Sequence, residues 1–232
     1  MERLMDLSKI DFYLNQFNLI GYLNDDLINN CEIHTFKKGE NICNLGEKVY
    51  YMYFLVKGKT KVSTLLSTGK SLLLCLSTPL EIIGDIEFMD NPLADCNVTA
   101  LESCICLAFP LDKVEKYGYN DPLFLRFIIT SLGKKLRNNS IYSSINMLYP
   151  LENRFASYIL SLLPKDSNLN SSVEIESLTH LSELLGTSYR HLNRVINSLS
   201  SKNIIKKEKN SLTILNFEQL KSLAQDIFIK NK

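Results

Sequence analysis

The sequence predicts an α+β protein made of an N-terminal antiparallel β-roll, a long helix and a C-terminal winged helix-turn-helix. Three observations indicate this: glycine turns separate short apolar runs from Phe36 to Phe109, helical apolar spacing runs from Asp121 to Leu148, and Gly-Thr-Ser at 186–188 joins two apolar-periodic segments. The expected parts are residues 1–119, the roll with N-terminal helices, then 120–149 and 150–232. A chain of 232 residues is long enough for two domains with separate cores.

The roll is predicted from the alternation of strands and turns. Runs such as YYMYFLV, SLLLCL and SCICLAF alternate with turns such as VKGK, STGK and IIGD. Apolar, β-branched and aromatic runs between glycine turns are typical of an antiparallel roll or barrel. On the strand SCICLAF, Cys104 and Cys106 are expected to point to one face. His34 is expected on the surface of a strand.

The long helix is predicted to join two copies of the chain. Leu125, Ile129, Leu132 and Leu136 follow heptad-like spacing. The helix also exceeds the length that one domain needs to cover its own core. The sequence therefore predicts a homodimer held by this helix.

The segment from 178 to 201 has the pattern of a helix-turn-helix. Ser182 is the small residue of the first helix, Gly186 is the turn glycine, and Ser188 is placed to cap the second helix. Apolar residues stand where the two helices touch: Leu181, Leu185, Leu192 and Val195. Upstream lie the polar linker PKDSNLNSS and the short alternating strand SVEIE. Downstream, NIIKKEKNSLTIL predicts two strands around a Lys-Asn-Ser turn, which together form a wing.

Charge is distributed unevenly along the chain. Residues 179–232 contain nine Lys and Arg against four acids, a net charge of +5, although the whole chain carries only +1. The remainder is therefore about −4. A basic module attached to an acidic one suggests binding to a polyanion. The alternative to a helix-turn-helix is a simple helical hairpin with a polar outer face and no DNA-binding role. The predicted wing and this charge asymmetry argue against it.

The polar face of the second helix suits double-stranded DNA. Arg190 and Arg194 are one turn apart and can reach guanine or phosphate, and Asn193 can contact adenine or phosphate. Tyr189 can meet a phosphate or a thymine methyl group, and Thr187 with Ser188 and the helix amides suits a phosphate oxygen. The wing residues predicted to clamp the DNA backbone are Lys206, Lys207 and Lys209.

The order of these parts resembles the Crp/Fnr superfamily of bacterial transcription regulators. The phrases that carry the resemblance are FKKGENICNLGEKVYYMYFLVKGKTKV, IIGDIEFMDNP and VTALESCICLAF, followed by the long helix and the winged helix. The recognition-helix phrase SYRHLNRV further resembles the YeiL-like branch. The resemblance implies a cyclic-nucleotide-binding-like, cupin-type roll that reads a small signal, a homodimer on a palindromic site, and contact with RNA polymerase if the protein is an activator.

In the cyclic-AMP receptor branch, a Gly-Glu pair, an Arg-Ser pair and a Thr-Ser on the long helix form the pocket. By this resemblance the candidate effector residues are Gly84, Asp85, Asp95, Cys96, Asn139 and Ser140. Ala94 or Asp95 stands where the arginine is expected, and no Lys or Arg occurs between Lys70 and Lys113. A cyclic phosphate buried there would lose its water without gaining a counter-charge. The sequence therefore argues against cyclic nucleotides as the signal.

Other signals stay open at this point. A neutral or cationic small molecule, thiol redox sensing by Cys96, Cys104 or Cys106, and the absence of any effector are all compatible with the sequence. The clustered N-terminal cysteines of the iron-sulfur branch are missing, since the first cysteine is Cys31. We expect no cofactor.

Enzyme, membrane and adaptor functions fit the sequence less well. His34, His180 and His191 are the three histidines, and the last two belong to the helix-turn-helix, so a three-histidine metal site in the roll is excluded and we expect no catalytic or metal residues. The acids in MERLMDLSKIDFYLNQF fit neither a signal peptide nor a membrane anchor, so a cytoplasmic location without membrane contact is expected. A ligand-binding adaptor that does not bind DNA is the alternative function.

Overall fold

The chain folds into two units. The computed structural model describes residues 1–65, 69, 71–89, 91–163, 171–175 and 177–229. The roll unit comprises Met1–Thr64 and Leu74–Ser140, and the winged unit comprises Leu65–Leu73 and Ile141–Lys232. The polar linker predicted after Leu163 lies largely outside the described residues, as does most of the predicted STGK turn.

Two antiparallel sheets form the roll and confirm its prediction. The first contains β1 (Glu2–Leu4), β2 (Glu32–Phe36), β4 (Tyr51–Lys57), β7 (Glu81–Ile83) and β9 (Cys104–Pro110), in the order β1-β2-β9-β4-β7. The second contains β3 (Asn41–Cys43), β5 (Thr60–Leu65), β6 (Ser71–Ser77) and β8 (Asn97–Ala100), in the order β3-β8-β5-β6.

The two faces of the first sheet belong to different cores because side chains alternate along a strand. In β4, Met52 and Phe54 pack in the core that includes the helices, whereas Tyr53 and Leu55 face the interior of the roll. Cys104 and Cys106 point together into the roll interior, as predicted. The sheet therefore positions a second, enclosed surface inside the roll.

Five helices accompany the roll: α1 (Leu7–Gln16), α2 (Asp25–Asn29), α3 (Asp85–Met89), α4 (Leu111–Gly118) and the long α5 (Pro122–Leu148). Asp121 caps the N-terminal end of α5, because its Oδ1 accepts hydrogen bonds from the amides of Leu123 and Phe124 at 2.9 and 3.3 Å. Phe124 and Ile128 then bury in the core beside the first sheet. These contacts fix the first turns of α5 to the roll.

The predicted stripe on α5 divides between core and solvent. Leu125 and Leu132 are partly buried and pack against the core of the roll unit. Ile129 and Leu136 are 63% and 70% exposed. Of the four residues of the stripe, Ile129 and Leu136 are therefore the ones whose apolar surface is mostly exposed.

The winged unit has the predicted motif. Its elements are α6 (Leu151–Leu162), β10 (Ser172–Glu174), α7 (Leu178–Leu184), α8 (Tyr189–Ser201), β11 (Ile205–Lys207), β12 (Ser211–Ile214) and α9 (Phe217–Ile229). The strands form an antiparallel sheet in the order β10-β12-β11. Phe155, Ile196 and Leu220 are fully buried in this unit. The helix-turn-helix, the wing and the short strand before them are thus confirmed.

The prediction that His34 lies on a strand surface is wrong. Its side chain is fully buried, with ring centroids 4.7 Å from Tyr51 and 5.5 Å from Tyr53, and its Nε2 lies 2.9 Å from Glu32 Oε2. Burial lowers its pKa, although Glu32 acts in the opposite direction. The imidazole is therefore part of an aromatic cluster on one face of the first sheet.

None of the helices in the described part of the chain is both long and apolar enough to cross a membrane.

Candidate nucleic-acid interface and effector site

The turn between α7 and α8 is held by backbone hydrogen bonds and by a serine cap. Gly186 adopts a φ of +62°, a left-handed conformation that glycine accepts without strain. Its amide donates to the Glu183 carbonyl, and the Thr187 amide donates to the Ser182 carbonyl, both at 2.9 Å. Ser188 caps α8 as predicted, since its hydroxyl accepts from the amide of His191 at 3.2 Å. The start of α8 is therefore fixed in direction.

Helix α8 has one buried and one exposed face. Leu192, Ile196 and Leu199 are fully buried, because the spacing of three and four residues keeps them on one side of the helix. Arg190 and Arg194 are exposed, together with about half of the Tyr189 side chain. The structure thus places both predicted arginines on the solvent face.

The wing brings further cations to this surface. Lys206, Lys207 and Lys209 are all exposed. Lys207 Nζ donates a hydrogen bond to Asn193 Oδ1 at 3.1 Å, which joins the wing to α8. Lys206 Nζ lies 3.1 Å from Glu208 Oε1, so part of its charge is offset locally. One predicted DNA-contacting residue of α8 and one of the wing are therefore in direct contact.

Arg154 stabilises the turn through a hydrogen bond to its backbone, a role that was not predicted from the sequence. Its Nη1 donates to the Leu185 carbonyl at 2.7 Å and lies 3.5 Å from Asn146 Oδ1. Burial lowers the pKa of this guanidinium. The carbonyl that it binds belongs to the residue that directly follows α7, at the end of a helix where acceptors are left unpaired. The sequence LENRF carries no signal for this role beyond an arginine in an amphipathic helix.

The fold brings a cation to the candidate effector site from outside the span between residues 70 and 113, which contains no Lys or Arg. Lys135 on α5 places its Nζ 2.7 Å from Asp85 Oδ1 and 3.5 Å from Glu81 Oε1, and it donates to the Ile82 carbonyl. The Asp85 side chain is 2% exposed. Lys135 lies outside the 70–113 span, 50 positions from Asp85, so sequence proximity could not reveal it.

Four of the other candidate effector residues are less enclosed than Asp85, whereas Gly84 is buried. Asp95 is exposed, Cys96 is half-buried, and Asn139 and Ser140 are exposed on α5. The φ of Gly84 is +93°, and a Cβ there would lie 3.0 Å from the Tyr51 carbonyl oxygen. Close packing of strands therefore explains this glycine without a ligand.

A cavity of about 590 Å³ opens elsewhere in the roll unit. Its lining includes Arg3, Cys43, Lys48, Tyr51 and Tyr53. None of the six candidate effector residues lines it. In the described part of the chain, no group of three or more His, Cys, Asp or Glu side chains is arranged to hold a metal ion.

The cysteines are poorly suited to thiolate chemistry. All six are free thiols, and burial raises the pKa of each of them, for example to about 11 for Cys75 and to about 12 for Cys43. Cys104 and Cys106 are fully buried. The thiolate is the reactive form of cysteine, so these environments argue against the redox-sensing alternative.

Comparison with known proteins gives matches in both units. A model of the cyclic nucleotide-binding domain matches residues 33–118, and a model of the Crp-like helix-turn-helix domain matches residues 153–223. The chain is 31% identical over 197 residues to the regulatory protein YeiL of Escherichia coli O157:H7, covering 85% of this chain and 87% of that protein. It is 21% identical to the cAMP-activated global transcriptional regulator CRP of Pasteurella multocida, covering 77% of this chain and 87% of that one.

Solved structures show the same fold. A transcriptional regulator of the crp/fnr family from Eubacterium rectale superposes with a TM-score of 0.80 at 16% identity, covering 91% of this chain and 99% of that chain. A CRP/FNR-family regulator from Thermus thermophilus superposes with a TM-score of 0.67 at 19% identity, covering 83% of this chain and 98% of that chain.

Proposed function

The chain belongs to the Crp/Fnr family of transcription regulators, and from that premise we propose that it binds a specific DNA sequence as a homodimer. The observation that carries the proposal is the exposed face of α8, which carries Arg190 and Arg194 and is joined to the wing by the hydrogen bond between Lys207 and Asn193. Helix-turn-helix proteins insert this second helix into the major groove, and backbone contacts on either side set its register.

The dimer is supported by the exposed apolar side chains of α5. Ile129 and Leu136 are seven positions apart and lie on one side of the helix. Gly133 lies between them on the same side and allows close approach of a second helix. Leucine and isoleucine with more than half of their surface in water favour burial against a partner. The division into roll, dimerisation helix and winged domain stays part of this proposal, as does contact with RNA polymerase if the protein is an activator.

Selection from a pool of randomised duplexes tests the function. We expect the enriched sequences to contain two inverted half-sites whose centres lie about 10 base pairs apart, or a multiple of that distance, because a two-fold dimer presents two α8 helices to one face of the duplex. Sequencing of the bound fraction over successive rounds measures the enrichment. A pool that shows no enrichment, although the protein is folded by circular dichroism, would contradict sequence-specific binding.

We further propose that cyclic AMP and cyclic GMP are not the signals of the roll. The ammonium of Lys135, which lies at the candidate site, is already paired with the carboxylates of Asp85 and Glu81. Asp95 stands near the position of the arginine that the cyclic-AMP branch uses, and its carboxylate would repel a phosphate. Although the relative from Pasteurella multocida is named as cAMP-activated, none of the six candidate effector residues of this chain is a cation, and Lys135 beside them is already paired.

Calorimetric titration is expected to show no binding heat for either cyclic nucleotide at millimolar concentration. An anion without an unpaired cation gains too little to offset its lost hydration. The same protein sample should give heat with its selected duplex, which shows that it is active. A micromolar dissociation constant for either nucleotide would overturn this part of the proposal.

A further inference from the structure

An ammonium group lies bound between the roll and α5, and the chain itself supplies it. Lys135 Nζ contacts Asp85 Oδ1 at 2.7 Å, Glu81 Oε1 at 3.5 Å and the Ile82 carbonyl. A lysine ammonium has three hydrogens to donate, and these three oxygens match that number. The oxygens come from β7 and from the first residue of α3, so two consecutive roll elements converge on one nitrogen.

The burial of these groups indicates that the Asp85 carboxylate depends on the Lys135 ammonium for its stability. The Asp85 side chain is 2% exposed, and Lys135 and Glu81 are each about a quarter exposed. Asp85 Oδ1 also accepts from the Ile86 amide at 3.1 Å, whereas Asp85 Oδ2 is buried and has no hydrogen-bond partner in the described part of the chain. A buried carboxylate that loses its cation is strongly destabilising, because its lost hydration is no longer offset.

We propose that this part of the roll is a binding site for a primary ammonium group and that Lys135 is its internal ligand. Two carboxylates and a carbonyl dipole select a cation with several hydrogens and repel an anion. The bond ties α5 to the roll without any small molecule. If the proposed function holds, DNA binding therefore needs no added effector, and it weakens when this ammonium is removed.

Chemical rescue provides the test. Lys135→Ala keeps Cβ, and the atoms that it removes correspond to n-propylammonium. We expect the variant to lower the thermal midpoint by about 5–10 °C, since it leaves buried carboxylates unpaired. Propylammonium at tens of millimolar should restore at least half of that loss, because a ligand that binds only the folded state stabilises it. Propan-1-ol and tetramethylammonium, which lack either the charge or the donors, should not.

Lys134→Ala is the matched control. Lys134 is the neighbouring residue on α5, it is exposed, and its loss removes the same charge. We expect its midpoint to stay within about 2 °C of the wild type, as for an ordinary surface substitution. A Lys135→Ala variant as stable as Lys134→Ala, or one that propylammonium does not stabilise more than propan-1-ol does, would overturn the ammonium site.

The coupling to DNA is measured separately, on the selected duplex and at constant ionic strength, because salt alone weakens DNA binding. Lys135→Ala should bind about tenfold more weakly than the wild type and regain affinity with propylammonium. Unchanged affinity would overturn the coupling. If the wild type bound no duplex, the proposed function would fail, and the midpoint series would still decide the ammonium site.

If Lys135→Ala does not fold, acetylation of the native protein tests the ammonium site instead. Mass spectrometry should then show Lys135 modified at least about tenfold more slowly than Lys134, since a paired and partly buried ammonium is a poor nucleophile. Equal rates at the two lysines would contradict the proposal.

Discussion

Removing Arg190 or Arg194 is expected to reduce discrimination between the selected duplex and a scrambled one by about 1 to 3 kcal/mol for each arginine that reads a base. Both side chains are exposed on the face of α8 opposite the buried Leu192 and Ile196, so both are free to enter a major groove. Competition titrations of Arg190→Ala and Arg194→Ala against the two duplexes measure the effect. We expect at least one variant to lose specificity.

The wing lysines should behave differently. Lys209→Ala, which removes an exposed wing lysine other than the one bonded to Asn193, is expected to weaken binding to both duplexes alike and to lower the slope of log affinity against log salt by about one unit, because a phosphate contact carries no sequence information. Lys221→Ala is a control, since Lys221 is exposed on α9, outside α8 and the wing. If both arginine variants kept the wild-type specificity ratio, α8 would be a positioning element and not the reader of the sequence.

Leu136→Asp is expected to convert the dimer to a monomer. A carboxylate at this position would have to be buried without a partner in a helix–helix interface, which costs several kcal/mol at each of two symmetric copies. Affinity for the symmetric duplex should then fall by about a hundredfold or more, because the second half-site is no longer bound intramolecularly. Sedimentation measures the mass, and titration with the selected duplex measures the affinity.

The control for this variant is Leu7→Asp. Leu7 on α1 is 72% exposed, close to the 70% of Leu136, so both changes place a charge on an already open leucine. Leu132→Asp is less informative, because Leu132 packs on the core of its own roll unit. A Leu136→Asp protein that keeps the mass of the wild type would show that α5 does not hold the dimer.

The parts of the fold that the sequence predicted are those set by local periodicity. Apolar spacing of three and four residues defined α8 and its buried face, and a glycine and a serine at fixed positions defined the turn and its cap. Alternation placed Cys104 and Cys106 on one face of β9. Each of these features depends on residues within about two turns of helix or one strand.

The features that were missed depend on contacts across long separations. Lys135 reaches Asp85 across 50 positions, and nothing near either residue in the sequence indicates the pairing. His34 was misplaced because period-two alternation shows that a strand has two faces but not which of them other elements cover. Arg154 was missed because its partner is a backbone carbonyl, which every residue has.

The hydrogen bond between Lys207 and Asn193 determines which end of the Asn193 side-chain amide can face DNA. Lys207 can only donate, so the atom of Asn193 that faces it at 3.1 Å must be the oxygen. While that bond persists, Asn193 presents its NH₂ group outward. Two-point pairing with adenine requires both halves of the amide, whereas an outward NH₂ suits lone acceptors such as purine N7 or a phosphate oxygen. As long as Lys207 holds its oxygen, Asn193 would therefore donate to any suitably placed acceptor and would not select adenine.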